Sequence, residues 1–324
     1  MPIATADDWF AAAKQAISLQ KQSFTTVANQ PFSLLDVAGA PGAGSLAVGN
    51  TTTGLVPTDV LAGCPVITAF GAGGAVGYLA KGRFRNSVAG GLDLYDRLWH
   101  AGSVALTVLA TTTFAAQPSY LARIPDYSNL EILLEINAAV SATATTVAVT
   151  YTNEAGVAGR STGASVSLSG LTSRRVVAMP LQAGDKGVRQ IDSVVVGGTV
   201  AGTGSFNVIV ARRLASFDVR LPNGQDVQPW DAIGAPRLYA DSVLWAVIQA
   251  DSTASGNLSL GLDVINGQDL RMARGAGGAQ RCGSRGAAGR ARGPLRRDGG
   301  PDPRPPAGLR AARRFGNLRE LVHL

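Results

Sequence analysis

Between Asn129 and Leu214 apolar and polar positions alternate with a period of two. Leu130, Ile132, Leu134 and Ile136 fall on one face, and Val147, Val149 and Tyr151 do so after a turn. A period of two is that of a strand, whose successive side chains point to opposite sides of a sheet. Leu133 interrupts the polar line of the first segment, so this strand is expected to be covered on both sides. The pattern returns at Val166 and Leu168, from Val188 to Val196, and at Phe206, Val208 and Val210. Turn-forming sequences separate the runs: Asn153 to Gly156, Ala183 to Gly187, and Gly197-Gly198. Together they predict a meander of short antiparallel strands, as in a β-sandwich or jelly-roll-like body.

The flanking segments predict less regular structure. Residues 5–22 read as a helix. Thr5 and Asp8 have the spacing of a capping box, and Trp9, Ala13, Ala16, Ile17 and Gln20 share one stripe. An isolated helix of that length is marginal in water, so it is expected to dock on its own sheet or on a neighbouring subunit. Short strands are predicted at Phe24 to Ala28 and Phe32 to Leu35. From Val37 to Gly77 the chain is dense in Gly, Pro, Ala and Thr, an extended loop of roughly 40 residues, a length usually tied to contact-making. It is expected to lie across a neighbour or a sheet face. Strand patterns resume at Val76 to Ala80, Gly82 to Val88 and Val104 to Thr112, while Leu92 to Trp99 fits either a strand or a short helix. Beyond Leu214, Phe217, Val219 and Leu221 lead to Pro222-Asn223-Gly224, a hairpin signal. Val243 to Ile248 and Leu258 to Ile265 supply two further strands, and the body ends near Asn266-Gly267. The resulting organisation is an N-terminal helix (1–23), a loop-rich first β region (24–128), a β-sandwich (129–267) and a tail (268–324).

Composition agrees with a mainly β body: aromatics are 6% of the chain, with 40 glycines. The net charge of +7 needs dividing along the chain. Residues 1–270 hold 16 Lys and Arg against 19 Asp and Glu, whereas residues 271–324 hold 13 Arg against 3 acids. The body is mildly acidic and the basic character belongs to the tail, so no nucleic-acid surface is expected on the folded part. The tail itself is rich in Gly, Ala, Arg and Pro. It reads either as a disordered basic segment or as the product of a shifted frame in a GC-rich gene. In the first case it would attract phosphates without sequence preference. No apolar run is long enough to span a membrane, and the N-terminus lacks the pattern of a secretory signal.

Candidate chemistry is sparse. The histidines are His100 and His323, and no Gly-x-Ser-x-Gly elbow or paired Cys-x-x-Cys spacing is present. Cys64 and Cys282 lie in different compositional zones, an unpromising disulfide pair. Asp7 and Asp8 suit a helix start, and Asp93 and Asp96 beside Arg97 read as a salt-bridged surface hairpin rather than an acid/base pair. The glycine runs Gly39 to Gly44 and Gly71 to Gly77 lack the Gly-Lys-Ser/Thr ending of a phosphate loop. No catalytic, cofactor or metal residues are expected, and the chain is read as non-enzymatic.

Val147 to Arg160, Ala183 to Arg213, and the opening segment with Pro31-Phe-Ser-Leu-Leu-Asp-Val-Ala-Gly resemble segments of tailed-bacteriophage structural proteins. The likeness spans roughly residues 1–266. It implies a β-rich virion component, expected as a capsid decoration or cement protein. A tail or head–tail connector component is the alternative within the virion, and a carbohydrate- or receptor-binding module the alternative outside that class. The implied partners are a major capsid protein and further copies of the chain, with synthesis in the host bacterial cytoplasm. Against a sugar-binding module, Trp9, Trp99, Trp230 and Trp245 are scattered over separate segments.

Overall fold

A computed structural model describes residues 14–49, 52–70, 76–115, 123, 124, 126–163 and 165–266. Its strands are β1 (Lys14–Lys21), β2 (Gln30–Ser33), β3 (Gly39–Ala40), β4 (Val76–Asn86), β5 (Gly90–Ala105), β6 (Thr111–Thr113), β7 (Leu130–Ala138) and β8 (Thr145–Asn153). They continue as β9 (Arg160–Ser161), β10 (Val166–Ser167), β11 (Val176–Met179), β12 (Val188–Gly198), β13 (Ser205–Val219) and β14 (Gln225–Pro229). A single-turn helix, α1 (Trp230–Ile233), precedes β15 (Arg237–Tyr239), β16 (Leu244–Ala250) and β17 (Leu258–Asn266).

These strands form three sheets, antiparallel throughout. The central sheet runs β11-β7-β13-β5-β16-β2, and the second runs β10-β8-β12-β6 with β9 on β8. The third runs β14-β4-β17-β1-β3, with β15 also on β4. The strands predicted from alternation are present, but the meander is not. β7 and β8 follow one another in sequence yet belong to different sheets, as do β12 and β13. Each of these connections carries the chain from one packed layer to the other, so hydrophobic alternation survives while nearest-neighbour pairing does not.

One face of the central sheet packs against both other sheets, side by side. Leu130, Ile132, Leu134, Ile136, Phe206, Val208 and Val210 meet Val147, Val149, Tyr151 and Ile191 of the second sheet. Leu92, Leu94, Phe217, Ala246 and Ile248 meet Leu19, Phe84, Leu260 and Leu262 of the third. The two longest strands, β5 and β13, therefore run through both cores. Irregular register between them, next to Ala211 and Ala215, keeps the inward residues on the correct face along their length. The opposite face of the central sheet carries a third cluster of Leu133, Ile209, Ala211, Tyr95 and Trp245. Leu133 and its strand are thus covered on both sides, as its sequence implies.

What covers that opposite face includes part of the long loop. Leu35, Leu46 and Cys64 join the third cluster, and Val37, Ile67 and Phe70 join the core of the third sheet. Gly54, at φ +65°, lies flat on the Trp99 indole, where an added Cβ would come within 2.2 Å of the ring. Only glycine suits that position on both counts.

Several expectations are corrected. Residues 14–21 of the predicted helix are strand β1, with Ile17, Leu19 and Lys21 inward and Gln20 outward. Ile17 and Leu19 fit a period of two as well as the helical stripe, and pairing of residues 14–21 with residues 258–265 of β17 decides for the strand. Residues 5–13 of that prediction lie outside the described residues. Phe24 to Ala28 is reduced to one isolated bridge, Thr25 to Ala254. Val76 to Asn86 is one strand rather than two, and the predicted Val104 to Thr112 strand is interrupted between β5 and β6. Leu92 to Trp99 is strand. The turn at Asn223, φ 61°, forms, but β14 then pairs with β4 instead of folding back in register on β13. Side chains bridge that gap: Gln228 Nε2 donates to the Ser216 carbonyl, and the Asp218 amide donates to Asp226. The predicted tail, Cys282 and His323 lie outside the described residues.

Candidate functional site

The residues of greatest chemical interest are buried charges on β5, β7 and β13. Asp93 and Asp96 do not form the surface hairpin expected of them. Asp96 is fully buried, accepting from Ser242 Oγ at 2.7 Å and from the Val243 amide at 3.0 Å. Arg212 and Arg123 approach it at 3.5 and 3.6 Å. Asp93 is partly exposed and paired with Ser216 and Arg213. The sequence reading missed this because adjacent charges ordinarily mark a solvated surface. The available signal was the position of Asp96 and Arg97 between Leu94 and Leu98-Trp99, inside an apolar run.

On the other face of the same strand, Arg97 Nη1 meets Glu135 Oε2 at 3.1 Å, both side chains wholly enclosed. Asn207 Nδ2 donates to the same carboxylate oxygen at 3.0 Å and to the carbonyl of Leu46 in the loop. The guanidinium also lies over the Trp245 ring, 5.3 Å from its centroid. Arg97 Nε donates to His100 Nδ1 at 2.9 Å, which leaves the imidazole proton on Nε2. Burial, then the neighbouring Arg97 charge, pulls His100 down to about 2, so it stays neutral. His100 also exchanges backbone hydrogen bonds with Leu55.

This network holds the loop against the sheet. Arg123 donates to the carbonyls of Pro57 and Asp241, and Lys21 Nζ donates to Val37, Pro41 and Gly42. Burial lowers the Lys21 ammonium from its ordinary range and raises the Cys64 thiol to about 12. A thiol so raised is a poor nucleophile. Arg97, Glu135, His100 and Asn207 have the positions of structural ties, because no open cleft reaches them among the described depressions.

A second polar hub joins residues 151–160 to the turn before β12. Asp185 accepts from Tyr151 Oη at 2.6 Å, Asn153 Nδ2 at 2.8 Å and Arg160 Nε at 2.9 Å. The hydrogen bond from Arg160 is the main reason that its carboxyl is held down to about 2. The 151–160 hairpin is thereby locked to the turn before β12.

Exposed apolar side chains gather at two sheet edges. Beside β6, the edge of the second sheet, Val108 and Leu109 are 57% and 50% exposed, with Val195 and Val200 also exposed. Around β14, the edge of the third, Leu221, Val227 and Trp230 are exposed. Trp99 and Trp245 are in the core, and Trp9 lies outside the described residues. Of the glycine runs, Gly39 to Gly44 forms the short β3 and the turn after it. In the second run residues 71–75 lie outside the described residues, and Gly77 belongs to β4. No group of metal-ligating side chains occurs among the described residues. No helix among them is long and apolar enough to cross a membrane.

The fold and these features define an all-antiparallel β protein of three sheets with an internal ion network. No protein-family model matches the chain, and no curated protein does. Among solved structures, particles derived from infectious bursal disease virus match at 8% identity, covering 81% of this chain and 80% of that one, with a TM-score of 0.17. The VP2 subviral particle of the same virus matches at 10% identity, covering 79% and 80%, with a TM-score of 0.16. Scores of that size carry no argument about this chain.

Proposed function

We propose that this chain is a virion structural protein of a tailed bacteriophage, a capsid decoration or cement protein that bridges neighbouring capsid subunits and associates with copies of itself. The observation that carries the reading is the pair of sheet edges with exposed apolar side chains, at β6 and at β14. Sheet edges offer backbone hydrogen bonds to a neighbour, and apolar rims add buried area. Weak contacts of this kind act together on a symmetric lattice. The segments that resemble phage structural proteins support it further, and two of them are tied to each other through Asp185. The role is non-enzymatic in this reading, consistent with a His100 that is enclosed and already occupied by Arg97. The protein would be made in the bacterial cytoplasm and reside in the virion.

Quantitative mass spectrometry of purified virions tests this. A count on the order of hundreds per particle supports a capsid decoration protein, whereas about six or twelve would transfer it to the connector or tail. Absence from the particle overturns the virion reading.

A further inference from the structure

We propose that the outer face of the third sheet, where it meets three turns, binds an acidic saccharide, one that carries a carboxylate beside its hydroxyls. The site is independent of the assembly role above. Gln20 on β1, Ser259 on β17 and Arg85 on β4 are successive cross-strand partners. Their chain neighbours Leu19, Leu258, Leu260 and Phe84 are buried, so alternation turns this row outward. Ser87, Asn223 and Asn257, from three separate turns, raise a rim around it, enclosing a depression of about 380 Å³. A second depression of about 420 Å³ shares Gln20 and Asn257 and continues the groove over β1 toward Gly39 and Ala40. Asn86, the chain neighbour of Arg85, turns inward beneath the row, where its Nδ2 donates to the Ser255 carbonyl.

The lining selects the ligand chemistry. Carboxamides and hydroxyls each offer a donor and an acceptor, matching sugar hydroxyls that also do both. Arg85 adds a planar fork suited to a carboxylate, and no Asp or Glu lines either depression. Neither is lined by an aromatic ring, so there is no stacking platform for a neutral sugar and the charged contact decides the preference. The body as a whole is mildly acidic, so attraction of an acid there is local to this row.

Calorimetric titration of the full chain with tri-galacturonate, maltotriose and inorganic phosphate tests the site. Tri-galacturonate is expected to bind about tenfold more tightly than maltotriose. Arg85→Ala should remove about that factor, and Arg85→Lys should restore only part of it. Arg220→Ala, which removes an 89% exposed guanidinium that lines neither depression, should leave it unchanged. Equal binding by wild type and Arg85→Ala would assign the signal to the arginine-rich tail and overturn the proposal. Competition by phosphate at equal strength would show a simple anion contact and overturn the saccharide assignment, as would the absence of saturable binding.

Discussion

Asp96 and Arg97 are adjacent in sequence and send their charges to opposite faces of the same sheet. Asp96 meets Ser242, Val243 and two arginines, while Arg97 meets Glu135, Asn207 and His100 beneath the loop. Strand alternation makes this possible, and it lets one short segment tie together the two layers that cover β5. Breaking such a buried pair leaves a charge without its partner, a more damaging change than replacing both. Glu135→Gln should therefore cost about 3–5 kcal/mol in urea unfolding. The combined Arg97→Met, Glu135→Leu variant should lose less than that. If the double variant is the weaker of the two, the network is held by its geometry rather than by its charge balance.

The imidazole of His100 makes stability depend on pH. Its folded value of about 2 lies below the ordinary value of 6.5, so below pH 6.5 the unfolded chain binds a proton that the folded chain refuses. Stability is thus complete above pH 6.5 and falls as the pH drops, by about 1.4 kcal/mol per unit for this group alone. In His100→Asn, whose side-chain oxygen can accept from Arg97, that part of the slope between about pH 6.5 and 4.5 should vanish. Denaturation midpoints measured across this range check it; an unchanged slope would place the proton uptake on other groups.

The sequence made the two-layer strands legible and hid how they connect. Val147 to Tyr151 and Leu258 to Val264 each bury one alternating set, so a period of two marks them directly, and Leu130 to Ile136 keeps an unbroken apolar set although its second face is covered too. In β1 the same alternation is carried by Ile17, Leu19 and Lys21, and a buried lysine makes it unreadable as apolar. Its ammonium is tolerated because three carbonyls surround it. Glu135 and Asn207 were equally hidden, since a polar residue on the second face of a strand is taken to face water until something is known to cover it. The cover comes from Leu35, Leu46 and Cys64, far away in sequence. Nothing local announces which sheet a strand joins, and the crossings from β7 to β8 and from β12 to β13 are invisible for that reason.

Ile136 tests the shared core directly. It is wholly buried at the end of β7, among side chains from the second sheet. Ile136→Ala should cost about 2–5 kcal/mol, the transfer term plus the cavity left behind. A loss under about 0.5 kcal/mol would mean that this face of β7 is not packed as described.

The described cores end at Ile265, so residues 268–324 should be dispensable for folding of the body. A chain ending at Gly267 is expected to melt with the same midpoint and the same cooperativity as the full chain. A broadened or lowered transition would place part of the core in the removed segment.

Asp185 provides the sharpest test of how residues 147–160 and 183–213 are held together. Its carboxylate accepts hydrogen bonds from Arg160, Tyr151 and Asn153, and its value is depressed from 3.8 to about 2, chiefly by Arg160. A depressed carboxylate contributes stability that is complete above its unfolded value and is lost as the pH falls through its folded one. Wild type and Asp185→Asn should therefore differ most above about pH 4 and converge toward pH 2. Tyr151 reports on the same contact from the other side. Burial and the hydrogen bond to Asp185 push its phenol up to about 12, and removing the carboxylate charge should bring that value down. Tyrosine ring shifts followed by NMR between neutral and alkaline pH read this independently of unfolding. A Tyr151 titration identical in both proteins would show that Asp185 does not hold the hairpin, and that the two segments keep their arrangement through the β8–β12 ladder alone.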